Sequence, residues 1–127
     1  MNDAAERRRK RGAAGRLSGR RGEVIAALWL MLKGYRILGF RLRTPQGEID
    51  LLAWRRGVLA VVEVKKRGGL IEALEAVTPD QRARLRRAGS AIAARRPALT
   101  GASVRLDLIA LAPGKLPRHC PDAWNGT

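Results

Sequence analysis

Residues 47–67 read GEIDLLAWRRGVLAVVEVKKR, and this stretch decides the fold. Glu48 to Trp54 is a short apolar run, Arg55-Arg56-Gly57 is a turn, and Val58 to Lys65 is a second run dominated by valine. Two β-prone runs joined by a glycine turn predict a hairpin. The second strand carries apolar residues at nearly every position from Val58 to Val64. A strand of that kind is covered on both faces, so it belongs at the centre of a sheet with helices on either side.

Working outward, Tyr35 to Arg43 holds Ile37, Leu38, Phe40 and Leu42 and predicts a strand before the hairpin, with Pro45-Gln46-Gly47 as the turn between them. On its N-terminal side, Ser18 can cap a helix that runs to about Lys33, and Gly34 stops it. Downstream, Gly68-Gly69 ends the central strand, and a loop with a short helix follows around Ile71 to Val77. Thr78-Pro79-Asp80 opens a longer helix that runs to about Arg95 and ends before Pro97. Val104 to Leu111 is a fourth strand, and the tail beyond Pro113 reads as loop with Trp124 as an anchor. The expected order is helix, three strands, helix, strand. A strand reached through a helical crossover implies a mixed α/β sheet flanked by helices.

The chain has 127 residues, enough for one domain that folds without disulfide or metal staples. Residues 1–17 carry the basic block Arg7 to Arg11 and little apolar content, which reads as a disordered basic arm ahead of a single domain over 18–127. Lys and Arg number 26 against 11 Asp and Glu, a net charge of +15, so the default partner is a polyanion. Cys120 is the single cysteine; it forms no internal disulfide and no cysteine-based zinc site, and it points to a reducing, cytoplasmic setting. The lone His119 argues against a histidine metal cluster. Arg20-Arg21 before the apolar run Val24 to Leu32 imitates a twin-arginine signal. The run is nine residues long, far short of the roughly 20 that span a bilayer, and reads instead as a buried helix with no membrane partner.

Acids are scarce, so their placement carries information. Side chains alternate along a strand, so Glu48 and Asp50 share one face and Glu63 and Lys65 share another. If the two strands are neighbours, Asp50, Glu63 and Lys65 converge. Two carboxylates about 4 Å apart repel by roughly 4 kcal/mol at an effective dielectric near 20, so a cation belongs between them. Paired oxygen ligands suit Mg²⁺, or Mn²⁺ in its place, which can activate water and polarise a phosphate oxygen; a lysine can steady the developing charge. With a +15 surface, that combination describes a phosphodiester hydrolase.

Gly47-Glu48-Ile49-Asp50-Leu51 followed by Val62-Glu63-Val64-Lys65-x-Arg67 resembles the PD-(D/E)xK, restriction-endonuclease-like nuclease superfamily. With Gly22-Glu23, Gly34-Tyr35 and Arg105-x-Asp107, the pattern resembles the YraN-like family of small bacterial proteins, which are similar to archaeal Holliday junction resolvases. The resemblance runs from about Gly19 to Trp124 and implies a restriction-endonuclease-like core. It makes Asp50 and Glu63 metal ligands, the Val64 carbonyl a third, Lys65 the catalytic lysine, and Glu23 a further acidic ligand or a water-bridged partner. Glu48 lies on the metal face or points outward. Gln81 stands where family members often carry lysine, with Arg82 or Arg84 as the nearby substitutes the resemblance leaves.

Arg41, Arg43, Arg55, Arg56, Lys66, Arg67, Arg82 and Arg84 are the candidates for a phosphate-binding groove. The 5 aromatic residues leave base stacking a minor role, so backbone and shape recognition of DNA is expected, branched DNA by analogy, with RNA left open. A homodimer would suit two cuts on two strands. The competing expectation is a nucleic-acid-binding module that keeps the nuclease fold without turnover.

Overall fold

The structure is a computed structural model that describes residues 21–125. The expected basic arm and the Ser18 cap lie outside those residues.

Helix α1 covers 21–32. It closes on Gly34 at φ +92°, where the Tyr35 N–H reaches the Leu30 carbonyl and the Gly34 N–H reaches Met31, both at 3.0 Å. That paired return is the glycine stop expected from the sequence. Strands β1 (Arg36–Thr44), β2 (Gly47–Arg55) and β3 (Val58–Lys66) follow as two tight hairpins. Helix α2 (Leu70–Glu75) leads into α3 (Pro79–Arg95). At the start of α3, the Thr78 hydroxyl accepts from the Gln81 N–H, and the Gln81 side chain accepts from the Thr78 N–H. After a 3₁₀ turn at Pro97–Leu99 come β4 (Ser103–Leu111) and β5 (Arg118–Cys120). The last strand lies in the tail expected to be loop.

The sheet order is β1-β2-β3-β4-β5, antiparallel throughout except for the parallel pair β3/β4, which runs from Val58↔Ser103 to Lys66↔Leu111. The fold is mixed α/β, with a five-stranded mixed sheet between helices. β3 alternates as a central strand must: Leu59 and Val61 join the core under α2 and α3, while Ala60 and Val62 join the core under α1. Each fully buried leucine or valine there contributes about 1.5–3 kcal/mol. Gly89 brings α3 close to the sheet; a Cβ at that position would lie 2.6 Å from Val61 Cγ2.

The nine-residue apolar run was expected to be a buried helix, and the structure buries only one side of it. Ala26, Ala27 and Leu30 pack on the sheet, whereas Val24, Ile25, Leu28, Met31 and Leu32 are exposed. No helix among the described residues is long and apolar enough to cross a membrane.

Candidate functional site

Asp50 occupies a break in two ladders at once. The β2/β3 ladder stops at Leu51↔Val62, one step short of Asp50 and Glu63. The β1/β2 ladder passes from Phe40↔Leu51 to Leu42↔Ile49 and skips Arg41 and Asp50. Arg41 stands there at φ +47°, in the left-handed region that costs a non-glycine residue about 1 kcal/mol or more. Such irregularities free backbone from pairing and re-aim side chains. Here the Asp50 carboxylate takes up the freed pairing itself: Oδ2 accepts the Val64 N–H at 2.9 Å.

Glu63 and Lys65 project from the same face of β3, with Lys65 Nζ 3.5 Å from Glu63 Oε1. Both are half-buried. Burial, then the charge of Asp50, then a hydrogen bond shared with Asp50 push the Glu63 carboxyl up to about 8, and Lys65 offsets only part of this. Asp50, Glu63 and Lys65 therefore form one interacting group at the open end of the β2/β3 hairpin.

Glu23 comes from α1 but turns to Arg41, whose Nε lies 2.8 Å from each carboxylate oxygen. That hydrogen bond and charge, with Glu48 and Asp50 adding to them, raise the Arg41 pKa. Four acids and two cations thus share this end of the sheet. Among the described residues, no three or more His, Cys, Asp and Glu side chains are grouped so as to hold one metal ion. The donor set is two carboxylates, Asp50 and Glu63, which matches the one or two that Mg²⁺ takes beside its waters.

Beside Glu63 opens a cavity of about 160 Å³, walled by Gly47 and Glu48 on one side and by Val77, Gln81, Arg84 and Leu85 on the other. Gln81 is held there by its capping role. Arg84 is drawn to Asp80 one helical turn away, and the Arg82 guanidinium lies over the Trp124 ring. Trp124 is buried and donates to the Leu74 carbonyl, the anchor expected of it.

The other candidate arginines divide between the two ends of the sheet. Arg43 opens onto a pocket with Arg95 and Arg96, and Lys66 and Arg67 line another with Arg21. Arg55 and Arg56 sit at the opposite turn with Lys33 and Arg36, five residues or about 17 Å along β2 from Asp50. They are not beside the carboxylates.

Sequence reasoning gave no role to a buried polar network on the α1 side of the sheet. Asp107 is fully buried and accepts Arg105 Nε at 2.7 Å, Arg105 Nη2 at 2.8 Å and the Asp122 N–H at 3.0 Å. His119 Nε2 lies 2.8 Å from the same carboxylate, and its Nδ1 is 2.9 Å from Lys33 Nζ. A charged lysine only donates, so Nε2 carries the proton that His119 gives to Asp107. Burial pushes Asp107 up, but His119, Arg105 and the Asp122 N–H outweigh it and hold the carboxyl below its ordinary range. Arg105-x-Asp107 on one strand was the visible signal, since both residues share a face; His119 is too distant in sequence to have been joined to it.

Residues 22–111 match the model of a family described as uncharacterised protein family UPF0102. A UPF0102 protein of Caulobacter sp. strain K31 is 74% identical over 117 residues, covering 92% of this chain and 84% of that protein. One from Caulobacter vibrioides is 67% identical over 123 residues, covering 97% and 98%. A more distant one, from Paramagnetospirillum magneticum, is 48% identical over 128 residues, covering 98% of each.

Proposed function

This chain belongs to the uncharacterised protein family UPF0102, and we propose that it is a divalent-metal-dependent DNA endonuclease of the restriction-endonuclease-like kind, hydrolysing phosphodiester bonds. The observation that carries the reading is the Asp50–Glu63 pair. Burial first, and then the neighbouring Asp50 carboxylate, push Glu63 up to about 8, even with a lysine 3.5 Å away. A structural ion pair has no need of the second acid; a cation site does.

Asp50 and Glu63 would hold the ion, with the Val64 carbonyl as a third oxygen. Mg²⁺ or Mn²⁺ bound there would polarise a phosphate oxygen and make a neighbouring water more acidic. Lys65, 3.5 Å from Glu63, is the cation that would donate to the charge developing on the phosphate oxygens. Arg41 fixes Glu23 at the edge of the site, where it can orient water. The exposed arginines at both ends of the sheet supply sequence-independent attraction to the backbone, which weakens steeply with salt.

The test is cleavage of branched, duplex and single-stranded DNA by the purified full chain with Mg²⁺ or Mn²⁺. Asp50→Ala and Lys65→Ala are expected to lose roughly 100-fold or more in rate. Cleavage by both at the parent's rate refutes the reading.

One observation favours the non-catalytic alternative. Three of the four acids already have a partner: Glu23 has Arg41, Asp50 has the Val64 N–H, and Glu63 has Lys65. A nucleic-acid-binding module with a closed acidic cluster would bind DNA with strong salt dependence and take up no metal in a calorimetric titration.

A further inference from the structure

We infer that this chain pairs with a second copy of itself through the outer face of α1. On a chain of charge +15, residues Val24 to Leu32 form a nine-residue stretch without a charge. Five large apolar side chains of that stretch point away from the sheet, and each is between 48% and 82% exposed. Contiguous apolar patches of a few hundred Å² or more on a soluble domain mark interaction sites.

The spacing identifies the occupant. Val24 and Ile25 lie four and three positions before Leu28, and Met31 and Leu32 lie three and four positions after it. These positions form one helical stripe, and the stripe is symmetric about Leu28. A two-fold axis through Leu28 sets α1 antiparallel to its copy, so that Val24 meets the partner's Leu32, Ile25 meets the partner's Met31, and Leu28 meets the partner's Leu28. Self-complementarity of this kind is what a two-fold interface requires. Phe40 is also exposed, and its cross-strand neighbour Leu51 belongs to the core on α1's side of the sheet. Cross-strand neighbours share a face, so Phe40 adds a further exposed apolar side chain on α1's side of the sheet.

Charge and area support the same occupant. On a chain with so many arginines, the uncharged stretch Val24 to Leu32, between Glu23 and Lys33, lets two copies meet along the stripe without like charges opposed there. The exposed side chains offer on the order of 500 Å² per copy, which puts the pair near the roughly 1,000 Å² that a specific interface must clear. Residues 1–20 are a poorer match for the face, since Met1 and Leu17 are their only large apolar residues among seven Lys and Arg. Glu23 lies next to the stripe, so pairing would fix two acidic sites in one rigid relation. The inference stands without the nuclease reading, because its readout is molecular mass.

Sedimentation equilibrium of the full chain, from low to high micromolar concentration, is expected to give twice the mass of one chain. Leu28→Glu places two like charges across the axis and is expected to give a monomer with an unchanged far-ultraviolet spectrum, since Leu28 is over half exposed. In a Cys120→Ser background, Leu28→Cys should form an intermolecular disulfide on mild oxidation. Leu32→Cys should not do so alone, but should when mixed with Val24→Cys. A parent that stays monomeric throughout overturns the proposal, and flotation of that monomer with anionic vesicles would assign the face to a membrane. A Leu28→Glu protein that remains dimeric overturns it as well. If Leu28→Glu does not fold, the cross-links decide, and their absence refutes the pairing.

Discussion

Replacing Glu63 with glutamine measures the electrostatic tension of the site directly. The Glu63 carboxyl is raised from 4.5 to about 8 in the folded chain, first by burial and then by Asp50. Each pKa unit corresponds to about 1.4 kcal/mol, so the folded state carries a handicap of up to about 5 kcal/mol once Glu63 is ionised. The sign follows from where the proton sits. Below pH 4.5 both folded and unfolded chains hold it, and the handicap is absent. Between 4.5 and about 8 the unfolded chain releases the proton while the folded chain keeps it, so stability falls with rising pH and the loss is complete above about 8. Glutamine never ionises. Denaturant unfolding of parent and Glu63→Gln, measured from about pH 5 to about pH 9, should show the variant gaining on the parent by several kcal/mol toward the alkaline end. Titrating groups other than the neighbouring Asp50 and Lys65 are common to both proteins and largely cancel in the difference. Added Mg²⁺ should restore the parent at alkaline pH and leave Glu63→Gln unmoved. A stability difference between the two that stays flat across the range, within about 1 kcal/mol, refutes the reasoning.

Three further outcomes follow from packing and capping. Gly89→Ala gains about 1 kcal/mol of helix propensity, but its Cβ would meet Val61 Cγ2 at 2.6 Å and Val104 Cγ1 at 2.9 Å, so urea titration should show a net loss of about 1–2 kcal/mol. Asp107→Ala strands the Arg105 guanidinium and leaves His119 without its acceptor, and should cost about 3 kcal/mol or more by the same measurement. Thr78→Ala breaks the reciprocal cap of α3 and should lower stability by about 1 kcal/mol, read as a fall in Tm of a few degrees.

The elements most legible in the sequence are those that local chemistry specifies. Gly34 closes α1, the Thr78-Pro79 start opens α3, and Leu59 to Val62 alternates between two cores as an apolar central strand must. β5 escaped because three residues, Arg118, His119 and Cys120, carry no periodicity. Its place is set by tertiary bonds, from Asp107 to His119 and to the Asp122 N–H. The half-exposed α1 escaped for a related reason: an unbroken apolar run does not reveal that only one side of it meets the sheet. At the site, strand alternation makes the nearness of Asp50, Glu63 and Lys65 readable. The Arg41–Glu23 pair was not readable, because it depends on a left-handed residue opposite Asp50. Arg55 and Arg56 are near Asp50 in sequence, but an extended strand carries them to the far turn.

The single parallel pairing has a consequence for how the chain is made. β3 is complete at Lys66, yet the strand that covers its other edge begins only at Ser103, after residues 67–102. At about 5–20 residues per second, synthesis of that crossover takes roughly 2–7 seconds. For that interval, an edge reading Val58-Leu59-Ala60-Val61-Val62 is open to pairing with any other extended chain. Arg55 and Arg56 on one flank and Glu63, Lys65 and Lys66 on the other bracket it with charge, as residues that deter aggregation do. Glu63 and Lys65, which carry the proposed chemistry in the finished protein, thus also help guard its central strand while the chain is still being made.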